Sequence, residues 1–251
     1  MLEVTILAVL QGIAEFLPIS SSGHLVIGQH LLGLGGAGMR LDVFLHVGTL
    51  ISIAVFYFAR LAAIVGSKDW GYCAKILLSA LPAAAVYFFF GDFVESMFSN
   101  VTVVGALLIF TGAVLLTTRF MPKGTKDVGF LRALIMGLGQ ALALLPGVSR
   151  SGMTLASARA AGVDGEKSAE FSFLMSAPLI AGAALLEVLK SFGGAECAAD
   201  VAWGLAVYGC LVASAVGYFS LKLLVMTLKG KWFWLFGPYC IIAGLVTLLC
   251  V

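Results

Sequence analysis

Apolar residues run along this chain in long blocks, wider than the one-sided stripe of a water-facing helix. Six blocks, at about 41–58, 73–90, 101–118, 168–190, 202–226 and 232–251, are long enough to cross a bilayer, for which about 20 apolar residues suffice. Two further apolar stretches, 1–32 and 130–162, are broken near their middles by proline, glycine and serines: LPISSSGH in the first and LPGVSRSG in the second. Irregular backbone at membrane depth is tolerated only where protein or a wet cavity covers it. The pattern therefore predicts an all-α polytopic membrane protein with six spanning helices and two re-entrant helix hairpins.

Composition narrows the class further. Of 251 residues, 61% are hydrophobic and only 11% charged, against about 25% charged in a soluble chain. Too few charges remain to cover a water-facing surface, which excludes a soluble enzyme, a nucleic-acid binder and a disordered chain. The net charge of +2 suggests no polyanionic partner. The stretch from Met1 to Ile19 holds Glu3 and Glu15 and no lysine or arginine, so a secretory signal is not expected there. The five cysteines, Cys73, Cys197, Cys210, Cys240 and Cys250, form no CxxC pair and read as small packing residues.

The basic residues assign an orientation. A hairpin returns to its own side, so a hairpin plus three spans crosses the membrane once. Arg60, Lys68, Lys75, Arg119, Lys123, Lys126, Arg132, Arg159, Lys167, Lys222, Lys229 and Lys231 then share one side, Arg40 and Lys190 the other, and Arg150 lies inside the second hairpin. Under the positive-inside rule the first side is the cytoplasm, and both termini face outward.

The two broken segments also match each other at one constant offset. Ile6 pairs with Ile135, Gln11 with Gln140, Ala14 with Ala143, Ser20 with Ser149, Ser22 with Ser151 and Gly23 with Gly152, and the match resumes at Phe44–Leu45 against Phe173–Leu174. The chain thus divides into a repeat over 1–118, a cytoplasmic linker over 119–129 and a second repeat over 130–251, all in one membrane domain. Three spans being an odd number, the second copy is inserted upside down, and the serine-rich tips of the hairpins should meet near the midplane. Inverted repeats with broken helices are a recurring plan for transporters.

Charges at membrane depth are costly and therefore functional candidates; the hairpins hold Glu15, His24 and Arg150. Ser20, Ser21, Ser22 and Gly23, and Ser149, Arg150, Ser151 and Gly152, each open a second half-helix, where serines serve as caps or the uncapped N–H groups bind an anion. Arg150 adds a fork suited to phosphate, and Gly23 and Gly152 clear space for a ligand near the backbone. Such a site suits a phosphate or diphosphate; carboxylate or sulfate would also fit. Glu15, beside an anion site and four residues after Gln11, reads as a metal ligand or a general base. His24, close to three serines, is a candidate proton carrier for a serine or a water. His30 and His46 have no such company.

At these residues the chain resembles a known family. Gln11 to His24 is similar to the [E/Q]xxxE…PxSSxGH region of the bacterial undecaprenyl-diphosphatases, also called bacitracin-resistance proteins, and Pro146 to Thr154 to their PGxSRSxxT motif. The likeness extends to Asp42-Val43, His46 to Thr49 and Phe171 to Met175. It implies a hydrolase of the bacterial plasma (inner) membrane that converts undecaprenyl diphosphate to undecaprenyl phosphate, the lipid carrier of cell-wall synthesis. The family's motif residues fall on Gln11, Glu15, Ser20, Ser21, His24, Ser149, Arg150, Ser151 and Thr154. The resemblance also implies an outward-facing reaction and a divalent cation, Mg²⁺ or Ca²⁺. Position 11 is Gln where many members have Glu, which shifts the weight of any metal site onto Glu15.

The expected reaction is phosphoanhydride hydrolysis of a polyprenyl diphosphate held among membrane lipids, with no nucleic acid and the oligomeric state left open. Arg150, the hairpin N–H groups, Ser149, Ser151 and Thr154 would hold the diphosphate. Ser21 or a water would attack, with His24 as base or acid, and Glu15 would bind a cation or act as base. The rival is a transporter or flippase of a polyprenyl phosphate lipid, for which the inverted repeat argues.

Overall fold

Both serine clusters sit where a helix stops and another starts. In the computed structural model, α1 (Leu2–Ala14) ends ahead of Pro18, and α2 (Ser21–Leu31) begins after Ser20, whose backbone takes φ 70° and whose Oγ accepts from the N–H of Gly23. The second break repeats this plan. α7 (Phe130–Leu142) ends ahead of Pro146-Gly147, with Gly147 at φ 92°, and α8 (Arg150–Ala160) is capped by Ser149, whose Oγ accepts from the N–H of Gly152. The repeat offset relates the two caps, and it also relates two Oγ–Oγ contacts of 3.3 Å, Ser20 to Ser22 and Ser149 to Ser151. The structure describes residues 1–33, 39–192, 201–230 and 232–250, apart from the side chains of 39, 183 and 186–192. The Lys190 side chain, Cys197 and Lys231 lie outside the described residues.

The remaining helices lie mostly over the apolar blocks, some running past the expected limits and some stopping short of them. They are α3 (Met39–Phe56), α4 (Phe58–Ser67), α5 (Trp70–Met97), α6 (Val101–Thr117), α9 (Gly165–Phe192), α10 (Trp203–Lys229) and α11 (Phe236–Cys250). Among the described residues there is no strand, only one isolated bridge between Lys126 and Val163. The architecture is that of a polytopic membrane protein. Among the described residues four helices are long and apolar enough to cross a bilayer: α5, α6 with its last turn, α10, and α11 with the turn before it. α3 and α4 pass the same length and composition test only together, with a bend of 69° between them. The sequence pattern predicts no α4, because Arg60 and Lys68 mark that stretch as a loop; instead Ile64 is buried and Arg60 donates to Glu170 on α9. α9 is long enough but interrupted by serines: Ser168, Ser172 and Ser176, four residues apart, are all buried.

The two halves interlock. α1 packs on α10, and α7 on α5, so each hairpin's first helix leans on a span from the other half. α6 and α11 touch through glycines: a Cβ on Gly112 would lie 2.6 Å from the Gly237 carbonyl oxygen, and one on Gly237 2.8 Å from that of Gly112. Backbone contact this close admits only glycine. The core between the halves contains Phe16 and Phe173, fully buried with ring centroids 5.4 Å apart. Cys210 and Cys240 are buried, as packing cysteines should be, whereas Cys250 is exposed.

Candidate active site

The hairpin tips meet, and they do so reciprocally. A Cβ on Gly23 would stand 3.1 Å from the Cα of Gly147, and one on Gly152 would stand 3.4 Å from the Cβ of Pro18. Ser151 donates to the carbonyl of Leu17 across the junction (3.2 Å). Each tip is also held by a helix of the opposite half. Thr111 on α6 donates to the Gly147 carbonyl (3.0 Å) and accepts from the Ser149 N–H (3.2 Å), while the Cys240 thiol on α11 donates to the Pro18 carbonyl (3.5 Å). Thr111 and Cys240 are themselves related by the repeat offset, as are Pro18 and Gly147.

Over this junction lies a cavity of about 460 Å³ whose wall includes Glu15, Ser21, Ser22, His46, Gln140, Ser149 and Arg150, with apolar residues such as Val43, Leu144, Val148, Leu179 and Ile180. Glu15 is its centre. The residue is 6% exposed; Oε1 accepts from Nη2 of Arg150, and Oε2 accepts from the Ser21 hydroxyl (2.6 Å) and from Nε2 of Gln11 (3.1 Å). One carboxylate from the first hairpin thus touches a hydroxyl that could attack and a guanidinium that could clamp. Nη1 of Arg150 is buried without a partner, which leaves a cationic donor to spare. Beneath it, the guanidinium lies 6.0 Å from the Phe173 ring.

Several residues singled out in the sequence frame this cavity without lining it. Ser20 is occupied as a cap, Ser151 crosses to Leu17, and Thr154 donates to the Arg150 carbonyl and meets Ser172 (2.6 Å). Gly23 and Gly152, expected to clear space for a ligand, are buried against the opposite tip, so the space they clear is filled by protein. His24 is likewise turned away from Ser21. Its Nδ1 donates to the Ser20 carbonyl (2.9 Å), and its Nε2 bonds the hydroxyl of Tyr239 (2.8 Å), whose ring stacks on the imidazole. The imidazole inside the cavity belongs to His46, on α3. Its Nδ1 donates to the Asp42 carbonyl, and its Nε2 stands 4.0 Å from Glu15 Oε2.

A cation at this site would have to be shared with the substrate, because the protein builds no cage for it. Among the described residues, no three His, Cys, Asp or Glu side chains gather in a way that could hold a metal. Glu15 nonetheless offers a carboxylate, and Gln11 Oε1 is buried without a partner. Mg²⁺ is commonly held by one or two such oxygens and completed by substrate phosphates and water.

The likeness to known proteins covers the same ground. A family description, bacitracin resistance protein BacA, matches residues 4–246. An undecaprenyl-diphosphatase of Parabacteroides distasonis is 39% identical over 260 residues, covering 99% of this chain and 97% of that protein. Those of Halothermothrix orenii and Desulforapulum autotrophicum are 36% and 35% identical, over 98% and 97% of this chain and 96% of each of theirs. With a matched length that contains both hairpins and every residue of the cavity wall, this chain belongs to the bacitracin resistance protein BacA family.

Proposed function

We propose that this protein hydrolyses undecaprenyl diphosphate to undecaprenyl phosphate and inorganic phosphate in the bacterial plasma membrane, and thereby returns the carrier lipid to cell-wall synthesis and confers resistance to bacitracin. The observation that carries this reading is the carboxylate of Glu15, bonded at once to Ser21 and to an arginine with a free donor. The diphosphate enters with its terminal phosphoryl group against Arg150 and Ser149, and the prenyl chain follows the apolar wall towards Leu179 and Ile180. Ser21 attacks the terminal phosphorus as Glu15 takes its proton; the bond to the bridging oxygen breaks, and undecaprenyl phosphate leaves. Water then cleaves the phosphoserine. Arg150 stabilises charge on the transferring group, the main contribution open to a phosphoryl-transfer protein. A divalent cation, when bound at Glu15 and Gln11, would neutralise diphosphate charge.

His46 stands nearer to this chemistry than His24, whose role in this scheme is to hold the start of α2. We further read the chain as six crossings and two re-entrant hairpins in inverted repeats, with both termini and the cavity facing outward. The reciprocal tip contacts at one constant offset support the repeat, and the grouping of lysines and arginines supports the orientation. That same reciprocity favours a second reading, a transporter or flippase of a polyprenyl phosphate lipid. A phosphate-release assay on the purified protein with a prenyl diphosphate separates the two. Steady release of inorganic phosphate supports the hydrolase; lipid movement across vesicles without release supports the transporter.

A further inference from the structure

Gln140 stands on α7, shortly before the second hairpin breaks. It is 2% exposed, it lines the cavity, and neither Nε2 nor Oε1 of its carboxamide has a hydrogen-bond partner. The large majority of buried polar groups in folded proteins are hydrogen-bonded, and an orphan is costlier still at membrane depth. An amide with both ends unmet, set in the wall of a cavity that binds something, calls for an explanation.

The repeat supplies one. Its counterpart in the first hairpin, Gln11, donates to Glu15 four residues on, the neighbour on the same helix face. Four residues after Gln140 the chain has Leu144. The second hairpin has the amide without such a partner, and the orphaned Nη1 of Arg150 belongs to the same hairpin. Two kinds of N–H donor, one neutral and one cationic, are thus left unmatched in one wall, opposite a hairpin that supplies the hydroxyl and the carboxylate.

We propose that Gln140 binds the substrate headgroup, its Nε2 donating to a non-bridging phosphate oxygen beside Arg150. This assignment rests on the diphosphate reading of the cavity. An amide adds a donor without adding charge, so it strengthens the grip on phosphate without disturbing the pairing of Arg150 with Glu15. The amide also costs the empty protein stability, because its bonds are made only when ligand arrives. A structural glutamine would have the opposite signature.

The test uses the purified full-length protein, with Gln140→Met as a near-isosteric apolar variant and Gln140→Leu as a second. Three quantities are read: thermal unfolding without phosphate, the upward shift of Tm caused by inorganic pyrophosphate, and KM and kcat on a short-chain prenyl diphosphate. Both variants should unfold at or above the wild-type temperature, show a reduced pyrophosphate shift, and raise KM about 10-fold or more, as expected for a lost hydrogen bond to a charged group, with kcat changed much less. Gln140→Glu should raise KM further by repelling the anion. A Tm lowered by several degrees in both apolar variants would make the amide structural and overturn the proposal. Unchanged KM with an unchanged pyrophosphate shift would overturn it too, leaving the amide to bind water. If the wild type releases no phosphate yet shows a pyrophosphate shift that depends on Gln140, the hydrolase reading fails and the headgroup assignment stands.

Discussion

The two hairpins share a scaffold and divide the chemistry. Each is broken at a proline or glycine, each starts its second helix with a serine cap on a glycine N–H, and each tip is held by a side chain from the other half's last helix. Most other positions differ at the repeat offset, and three of those differences bear on the chemistry. Glu15 faces Leu144 in that register, Ser21 faces Arg150, and His24 faces Met153. The first hairpin carries a proton acceptor and a hydroxyl; the second carries donors for an anion. Two segments broken and capped alike can therefore hold two opposite sets of groups at one junction, and phosphoryl transfer needs both sets there.

The largest effects should come from erasing that division. Arg150→Ser makes the second tip like the first and should lower kcat/KM by about 10³-fold or more, the scale of removing a guanidinium from a transferring phosphoryl group. It also leaves Glu15 buried without its cation, at a cost of about 3–5 kcal/mol, which a lowered Tm would register. Arg150→Lys keeps the charge but not the fork, so Tm should largely recover while hydrolysis stays impaired. Recovery of both together would reduce the arginine to an ion-pair partner.

Next comes the choice of proton carrier within the first hairpin. A general base for Ser21 contributes about 10²–10⁴-fold. The 2.6 Å bond from Ser21 to Glu15 predicts a loss of that order for Glu15→Gln as well as for Ser21→Ala, and a smaller one for His24→Ala, which frees Tyr239 and loosens the start of α2. Phosphate-release rates on the three variants decide. A His24→Ala loss equal to that of Ser21→Ala would return the histidine to the reaction and break the assignment of Glu15 as base.

Much of this frame is legible in the sequence, because apolar block length, proline and serine caps are local signals. Both hairpins, the meeting of their tips and the gathering of Glu15, Ser21 and Arg150 follow from them. Side-chain direction does not. Only one turn of α2 separates His24 from Ser21, yet it points them at different neighbours, Tyr239 and Glu15, and only the position of α11 decides which. His46 is marked in sequence only by the family likeness and not by its neighbours, since α3 brings it in from another part of the chain. Gln140 is visible as half of a repeated pair; its significance lies in Leu144, the partner that is missing. The bend between α3 and α4 has no proline or glycine to announce it.

A milder perturbation tests the junction itself. Gly23→Ala places a methyl group 3.1 Å from the Cα of Gly147, backbone that cannot rotate aside, whereas in Gly152→Ala the contact across the tips, at 3.4 Å, is ordinary. Overpacking of this kind costs about 1–3 kcal/mol. Gly23→Ala should therefore lower Tm and activity together, with Gly152→Ala less affected across the junction and limited by its closeness to Ser149. Equal tolerance of both would mean that the tips are more loosely joined than their reciprocal contacts indicate.

The smallest effect concerns the ends of the second hairpin, which are clasped together. The Lys126–Val163 bridge closes its base, and Lys167 at the start of α9 donates to Asp127 in the linker. The Lys167 ammonium holds the Asp127 carboxyl below its ordinary pKa, and in return Asp127 raises that of Lys167. An acid whose pKa is depressed on folding adds stability above its ordinary value and loses it as pH falls through the folded value; a lysine raised on folding adds stability below its ordinary value and loses it as pH rises through the folded one. The clasp is thus complete across neutral pH and fails at both extremes. Because both groups are exposed, solvent screens the pair and its contribution is small. Asp127→Asn should lower Tm slightly at neutral pH, and the difference from wild type should vanish once the pH is taken below the range in which a free aspartate ionises. A difference that persists in acid would show that Asp127 holds the hairpin by something other than its charge.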